Sequence, residues 1–184
     1  MDYITVAQLR SRLKTDLDDG ALSDIIAEES ALITVTLSAE PADPMVEELP
    51  GGGTAIWLTY RPSVVQEVRD VVSDTVIDPA TYLVRGRALV MPQMVISDLD
   101  FEIRSATWPE RVRVTYSIAG LADILAILRG VCLDLCRLAI TDMGAEQSER
   151  LGDYQHDSKD VQAERKKVLA RLNRIKGLRP VMAG

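Results

Sequence analysis

Residues 111–143 read RVRVTYSIAGLADILAILRGVCLDLCRLAITDM, and the period of the apolar residues changes within this stretch. From Arg111 to Ile118 apolar and polar residues alternate, which predicts a strand with one buried face and one solvated face. After Gly120 the apolar residues recur every three or four positions, which predicts a long helix over 121–143 that is covered on most sides. The stretch therefore predicts a β segment followed by the central helix of a core.

Two helices are predicted before this stretch, over about residues 5–14 and 19–37. Thr5 followed by Gln8 is a capping box, which begins the first helix. Asp18 or Asp19 precedes the second helix, where a carboxylate accepts hydrogen bonds from free backbone N–H groups at the positive end of the helix dipole.

The segment between 38 and 118 contains turn residues and short alternating runs. Residues 38–55 hold three prolines, three consecutive glycines and several acids, which predicts a long exposed loop. Period-two runs then predict a small antiparallel β excursion over 56–118. Its strand candidates are 56–60, 64–72 and 111–118, with a hairpin at 82–91 that turns at Arg85-Gly86-Arg87.

Charge is distributed unevenly along the chain. The net charge is −7, but residues 161–184 hold seven basic residues and one acid, a balance of +6. Residues 1–160 hold 14 basic and 27 acidic residues, a balance of −13. A last helix is predicted from Asp157, with its cations in the later turns, as the helix dipole favours. The predicted partner-binding residues of this basic arm are Arg165, Lys166, Lys167, Arg171, Arg174, Lys176 and Arg179.

These patterns predict an α+β fold that is mainly helical. A helical body with the small antiparallel β excursion is predicted over 1–158, followed by the basic helical arm over 159–184. The chain has 184 residues, 47% hydrophobic and 27% charged, so it is expected to form a core rather than to be disordered. No signal peptide or membrane span is recognised, so a cytoplasmic protein with no membrane partner is expected.

Several patterns resemble chemical sites, and each has a simpler interpretation. The acids at 16–19 lack the spacing of a calcium loop, and the glycines at 51–53 lack the Lys-Ser/Thr and the helix of a phosphate loop. His156 stands beside Asp157 and Ser158 on one polar segment, where a catalytic triad cannot converge. No catalytic, cofactor or metal site is predicted.

Two cysteines, Cys132 and Cys136, lie four residues apart on one face of the central helix. Free cysteine is among the most buried residue types, so both are predicted to be small core residues. The chain is therefore not expected to be an enzyme. A cysteine-dependent enzyme remains a third possibility, and it requires a depressed pKa at one of the two thiols.

The basic arm is the segment for which a partner is predicted. The alternatives are a solvated amphipathic helix, an acidic protein surface and nucleic-acid phosphates. Duplex DNA is disfavoured as the main partner because the acidic body repels it and Tyr154 is the last aromatic residue of the chain. Protein docking is preferred, and a small DNA-binding or packaging accessory protein that uses the basic helix is the alternative function.

The order of several short motifs resembles that of a known family. The motifs are YIT at 3–5, TDLDD at 15–19, YRP at 60–62, VVQEV at 64–68 and VRVTY at 112–116. In this order they resemble the head–tail connector (adaptor, or head-completion) proteins of long-tailed double-stranded DNA phages. SERLGDY at 148–154 looks like the Ser-Glu-x-x-Gly-Asp-Tyr-Ser stretch of connectors from phages of actinobacteria, although Gln155 replaces the usual serine. The matching residues are Glu149, Gly152, Asp153 and Tyr154.

This resemblance implies a structural protein of the virion neck, present in the host cytoplasm during assembly. Connectors of this type form a homo-oligomeric ring, commonly of twelve copies, beneath the portal protein. The ring extends the DNA channel and provides the platform for the stopper, or another neck protein, and the tail. In several members the C-terminal segment reaches the portal. Genomic DNA is expected to pass through the ring without specific binding, and no cofactor is implied.

Overall fold

The computed structural model describes residues 2–92, 106–149 and 158–176. The chain divides into two compact units. Met1–Glu40 and Ala122–Gly184 form a helical unit, and Pro41–Leu121 form a β unit. The β unit is therefore an insertion between two segments that together make the helical unit.

The helical unit begins with two helices whose caps follow the sequence prediction. α1 spans Val6–Arg10, and its Thr5–Gln8 capping box is confirmed. The helix ends at Arg10, earlier than predicted, and at its C-cap the Ser11 hydroxyl donates to the carbonyl of Gln8 at 2.7 Å. α2 spans Asp19–Leu37, and Asp18 Oδ1 accepts from the Ala21 N–H at 2.8 Å, so both predicted bounds of this helix are confirmed.

The remaining helices are α3, α4 and α5, over Leu121–Glu149, Ser158–Ala170 and Asn173–Lys176. α3 includes the predicted range 121–143 and continues for six residues beyond it. The main core of the unit joins α2 to α3 through buried apolar side chains, among them Leu22, Ile26, Ile33, Leu128, Val131 and Leu135. Each such side chain stabilises the fold by about 1.5–3 kcal/mol when fully buried.

The β unit contains six strands in its described residues, arranged as two three-stranded antiparallel sheets. The first sheet has the order β1-β6-β3, and the second has the order β2-β5-β4. The strands are β1 Met45–Pro50, β2 Ala55–Trp57, β3 Pro62–Asp70, β4 Leu83–Arg85, β5 Ala88–Val90 and β6 Arg111–Ile118.

Central strand β6 confirms the alternation predicted for residues 111–118. Val112, Val114, Tyr116 and Ile118 are buried, while Arg111 and Arg113 are exposed. On the exposed face Glu48 of β1 pairs with both arginines, and Arg113 Nη2 lies 2.7 Å from Glu48 Oε1. The predicted hairpin at 82–91 is also confirmed, since β4 and β5 pair across the turn that contains Gly86.

Two fold predictions are wrong. The chain is mixed α+β rather than mainly helical, because the segment between α2 and α3 forms two antiparallel sheets with a 3₁₀ turn at Pro79–Thr81. The predicted loop 38–55 contains β1, which pairs with β6 from Met45↔Tyr116 to Pro50↔Arg111. Its prolines do not prevent a strand because Pro44 precedes β1 and Pro50 ends it, and proline is tolerated in an edge strand.

The three consecutive glycines, residues 51–53, lie in close contact with the backbone of residues 108–110 and do not form a free linker. Gly51 N–H donates to the carbonyl of Glu110 at 2.8 Å, and the Trp108 N–H donates to the carbonyl of Gly53 at 2.8 Å. A Cβ at residue 51 would lie 1.7 Å from the carbonyl oxygen of Pro109, so only glycine fits there. Gly52 has a φ of +77°, which an L side chain rarely adopts.

Candidate partner-binding arm

The predicted arm packs on the helical unit in its described part. Val161 of α4 is buried, and Leu172, which follows α4, is fully buried in the main core with residues of α2 and α3. After Ala170 the backbone hydrogen bonds span three residues instead of four. The Leu172 N–H donates to the carbonyl of Leu169, and the Ile175 N–H donates to that of Leu172. α4 and α5 are thus two elements where one helix was predicted, and neither is separate from the helical unit.

A buried ion pair fixes α4 to α2. Arg165 Nη2 lies 2.8 Å from Glu29 Oε1 and donates to Oε2 at 3.0 Å. The Glu29 side chain is only 2% exposed, and that of Arg165 is 22% exposed. Burial raises the pKa of Glu29, and the charge and hydrogen bond of Arg165 oppose that increase. Removing one partner of a buried ion pair is strongly destabilising, so loss of Arg165 is expected to destabilise the helical unit.

Two further cations of the arm also have carboxylate partners in the chain. Arg171 Nη1 pairs with Asp134 Oδ2 of α3, and Lys167 Nζ lies 2.5 Å from Glu164 Oε1 one turn earlier in α4. Lys166 is exposed and forms no ion pair with the residues that the structure describes. Of the four predicted binding residues with described side chains, Lys166 and Lys167 are those that a partner reaches most easily.

The other predicted residues lie at the edge of the described chain or outside it. Arg174 and Lys176 belong to α5, and Glu149 is the last residue of α3, but their side chains are not described. The predicted partner residue Arg179, the motif residues Gly152, Asp153 and Tyr154, and His156 fall outside the described residues.

The two cysteine side chains are completely buried between α3 and its neighbours. Cys132 Sγ lies 3.7 Å from the Ser30 hydroxyl of α2. The hydrogen bond between the two thiols lowers the pKa of Cys132, and the same bond together with burial raises the pKa of Cys136. Neither thiol is accessible to a substrate in this arrangement, which favours the core interpretation of the pair.

A buried polar cluster in the β unit was missed at the sequence level. Tyr116 OH donates to Glu47 Oε1 at 2.7 Å and accepts from the Tyr60 N–H at 3.2 Å, while Thr59 N–H donates to both oxygens of Glu47. Burial, and then the bond to Glu47, raise the pKa of Tyr116. The alternation in MVEELP, residues 45–50, was the available signal: it places Glu47 on the same face as Met45.

No group of three or more His, Cys, Asp or Glu side chains that could hold a metal ion occurs in the described ranges. In those same ranges no helix has both the length and the apolar character needed to cross a membrane. Comparison with known proteins gives no matching family model and no significant match among curated proteins.

Proposed function

We propose that this protein is a structural component of a phage neck, a ring-forming adaptor that docks on the portal and presents a platform to the stopper and tail. The observation that carries the proposal is the order of motifs from residue 3 to residue 154, considered together with the connectivity of the fold. The first and last segments of the chain form one helical unit, and the β segment is inserted between them. The order of a helical segment, a β segment and a second helical segment is the order that the resemblance implies, but the β segment is a whole unit of the fold and not a small excursion from a helical body.

The charge distribution supports a role beside DNA rather than on it. The −13 balance of residues 1–160 opposes adhesion of phosphates, and a ring around a moving genome benefits from such repulsion. Arg165 and Arg171, which would be strong phosphate ligands, are held by Glu29 and Asp134. This pairing weighs against the alternative of a DNA-binding accessory protein.

The portal contact is assigned to the basic end of the chain, with a smaller set of cations than the sequence suggested. The outer side of α4 offers Lys166 and Lys167, and the chain continues with Arg174, Lys176 and Arg179. Arg165 pairs with the buried Glu29 and holds the arm on its own unit, so it positions the binding segment instead of contacting the portal. Arg171 pairs with Asp134 at the surface, where its side chain stays 45% exposed.

The test is assembly with portal rings from the phage whose genome encodes this chain. Negative-stain images of portal with the full chain are expected to show an added ring beneath the portal. Replacing Lys166 and Lys167 by Glu is expected to weaken that binding, whereas Gln162→Glu on the same exposed side of α4 is the matched control. No added ring, together with salt-dependent affinity for duplex DNA, would overturn the proposal in favour of the accessory protein.

A further inference from the structure

The turn after β3, residues 70–77, presents two apolar side chains to solvent. Val72 is 74% exposed and Val76 is 55% exposed. We call this turn the hairpin tip. The strand that leads into it and the tip itself carry three carboxylates and one guanidinium, those of Glu67, Asp70, Asp74 and Arg69. Arg69 pairs with Glu67 and Asp74, and the three carboxylates and one guanidinium sum to a charge of −2. The two exposed valines therefore lie in acidic surroundings.

Internal hydrogen bonds hold the backbone of the hairpin tip in one conformation. Asp70 accepts from the Val72 N–H at 2.9 Å and from the Ser73 hydroxyl at 2.7 Å. Arg69 donates to the carbonyl and to the carboxylate of Asp74, at 2.9 and 3.0 Å. Such a pre-organised turn loses little conformational entropy when a partner binds it.

On one face of the second sheet the outer strands β2 and β4 carry exposed side chains, and Ala88 of the central strand between them is buried. The register Trp57↔Ala88↔Arg85 and Ala55↔Val90↔Leu83 places these six residues on one face. Trp57 is 53% exposed and Leu83 is 49% exposed, while Arg85 is exposed beside them. We call Trp57, Leu83 and Arg85 the small-sheet patch. Trp57 on β2 and the pair Leu83 and Arg85 on β4 lie on the two sides of β5. Tryptophan and arginine are enriched at the centres of interfaces.

We propose that the hairpin tip of one copy packs on the small-sheet patch of a second copy of this chain. Valines of the tip would cover Trp57 and Leu83, and the acidic surrounding of the tip would face Arg85. Because tip and patch are different surfaces, every bound pair keeps one free tip and one free patch. Such a heterologous contact generates a ring or a filament. Closure into a ring rests on the proposed neck function, but the contact itself does not.

The experiment compares two variants of the full chain. The tip variant carries Val72→Asp and Val76→Asp, and the patch variant carries Trp57→Asp and Leu83→Asp. Val35→Asp is the matched control, since Val35 is 78% exposed on α2 and belongs to neither surface. Arg85→Glu is a milder patch variant that keeps the apolar side chains. Fluorescence of Trp108, which is buried and present in all four, checks that the β unit is folded.

Native mass spectrometry over a concentration series, alone and with portal rings, measures assembly. The unaltered chain and Val35→Asp are expected to assemble equally, and tip and patch variants to remain monomers. Loss of an interface anchor weakens association by about tenfold or more. Arg85→Glu is expected to weaken it less. An equimolar mixture of tip and patch variants retains one working contact, so it is expected to give heterodimers and nothing larger.

Three outcomes would overturn the inference: variants that assemble like the unaltered chain, homodimers of either variant, or an unaltered chain that stays monomeric throughout. Binding to portal rings is measured in the same samples. If copies fail to use these surfaces but still bind the portal, the contact is rejected and the neck function stands. If copies assemble through them without binding the portal, the reverse holds.

Discussion

The helical unit and the β unit differ in which side chains they leave available to a partner. In the helical unit, cations of the arm form ion pairs with carboxylates, as Arg165 does with Glu29 and Arg171 with Asp134. In the β unit, several large apolar side chains are exposed to solvent. Seven of the ten large hydrophobic side chains that are exposed in the described residues belong to it, including Trp57, Val72 and Leu83. The basic arm, which has the most concentrated charge, is thus partly neutralised by carboxylates of its own unit. The β unit, whose composition is unremarkable, exposes surfaces that a partner would fit.

This difference can be tested unit by unit because both tryptophans of the chain, Trp57 and Trp108, lie in the β unit. Tryptophan fluorescence reports unfolding of that unit, and circular dichroism at 222 nm reports mainly the helices. Two separate units need not unfold in a single transition, so the two signals have to be analysed separately.

Gly51→Ala is expected to have the largest effect, on the β unit alone. The new Cβ would collide with the Pro109 carbonyl oxygen at 1.7 Å, and this oxygen belongs to the backbone, so it cannot rotate away as a side chain could. We expect a loss of more than about 3 kcal/mol of unfolding free energy in the fluorescence transition. Gly52→Ala is the matched control: nothing lies within 4 Å of its Cβ, and only its φ of +77° costs about 1 kcal/mol. Equal losses for the two variants would contradict the close-contact explanation.

Arg165→Met is expected to destabilise the helical unit by about 3 kcal/mol, because it leaves Glu29 buried without its cation. The transition followed at 222 nm should move while the fluorescence transition stays. Lys166→Met, one residue further along the exposed side of α4, is the control and should change stability by less than about 0.5 kcal/mol. If Arg165→Met is as mild as its control, the arm is not fixed by this pair.

Tyr116→Phe is expected to cost the β unit about 1–2 kcal/mol, because Glu47 then loses its shortest hydrogen bond in a buried site. The readout is the midpoint of urea unfolding followed by fluorescence. Tyr82→Phe is a suitable control, because Tyr82 packs on Trp108 through its ring, with centroids 5.5 Å apart. A loss for Tyr82→Phe as large as that for Tyr116→Phe would count against a specific role of Glu47.

The smallest expected effects are opposite pH dependences in the two units. Glu29 has a raised pKa, so the folded state holds its proton above the ordinary glutamate value; its contribution to stability falls as pH rises from that value through the raised pKa. A hydrogen bond from Arg113 lowers the pKa of Glu48, so its contribution is present above the ordinary value and is lost as pH falls through the lowered one. Comparing Glu29→Gln and Glu48→Gln with the unaltered chain between pH 3 and 7 should show differences of opposite slope; slopes of the same sign would contradict this assignment.

Sequence reasoning succeeded where the interactions are local. The Thr5–Gln8 box, the Asp18 cap and the alternation of β6 depend on residues a few positions apart, and each predicted its element. It failed where a partner lies far along the chain. Composition identified the glycines and prolines of 38–55 as a loop, but the fit of Gly51 against Pro109 and the pairing of β1 with β6 cannot be seen from that segment alone.

The arm shows the same limit. Its positive charge was evident from the sequence, yet Arg165 and Glu29 are separated by 136 positions, so nothing local indicated that they neutralise each other. The exposure of Val72 and Val76 could not be predicted either. A valine-rich run predicts a strand, but it does not show which of its residues lie in the turn beyond the sheet.

The insertion of the β unit sets an order for events during synthesis. α2 leaves the ribosome with Leu22, Ile26 and Ile33 uncovered, and their partners on α3 follow about 100 residues later. At usual elongation rates that delay is about 5–20 s. In the meantime the β unit can close on itself, because its first strand pairs with its last through Met45↔Tyr116. The helical unit can therefore complete its core only after the insertion has emerged, and until then the apolar side chains of α2 lack their partners on α3.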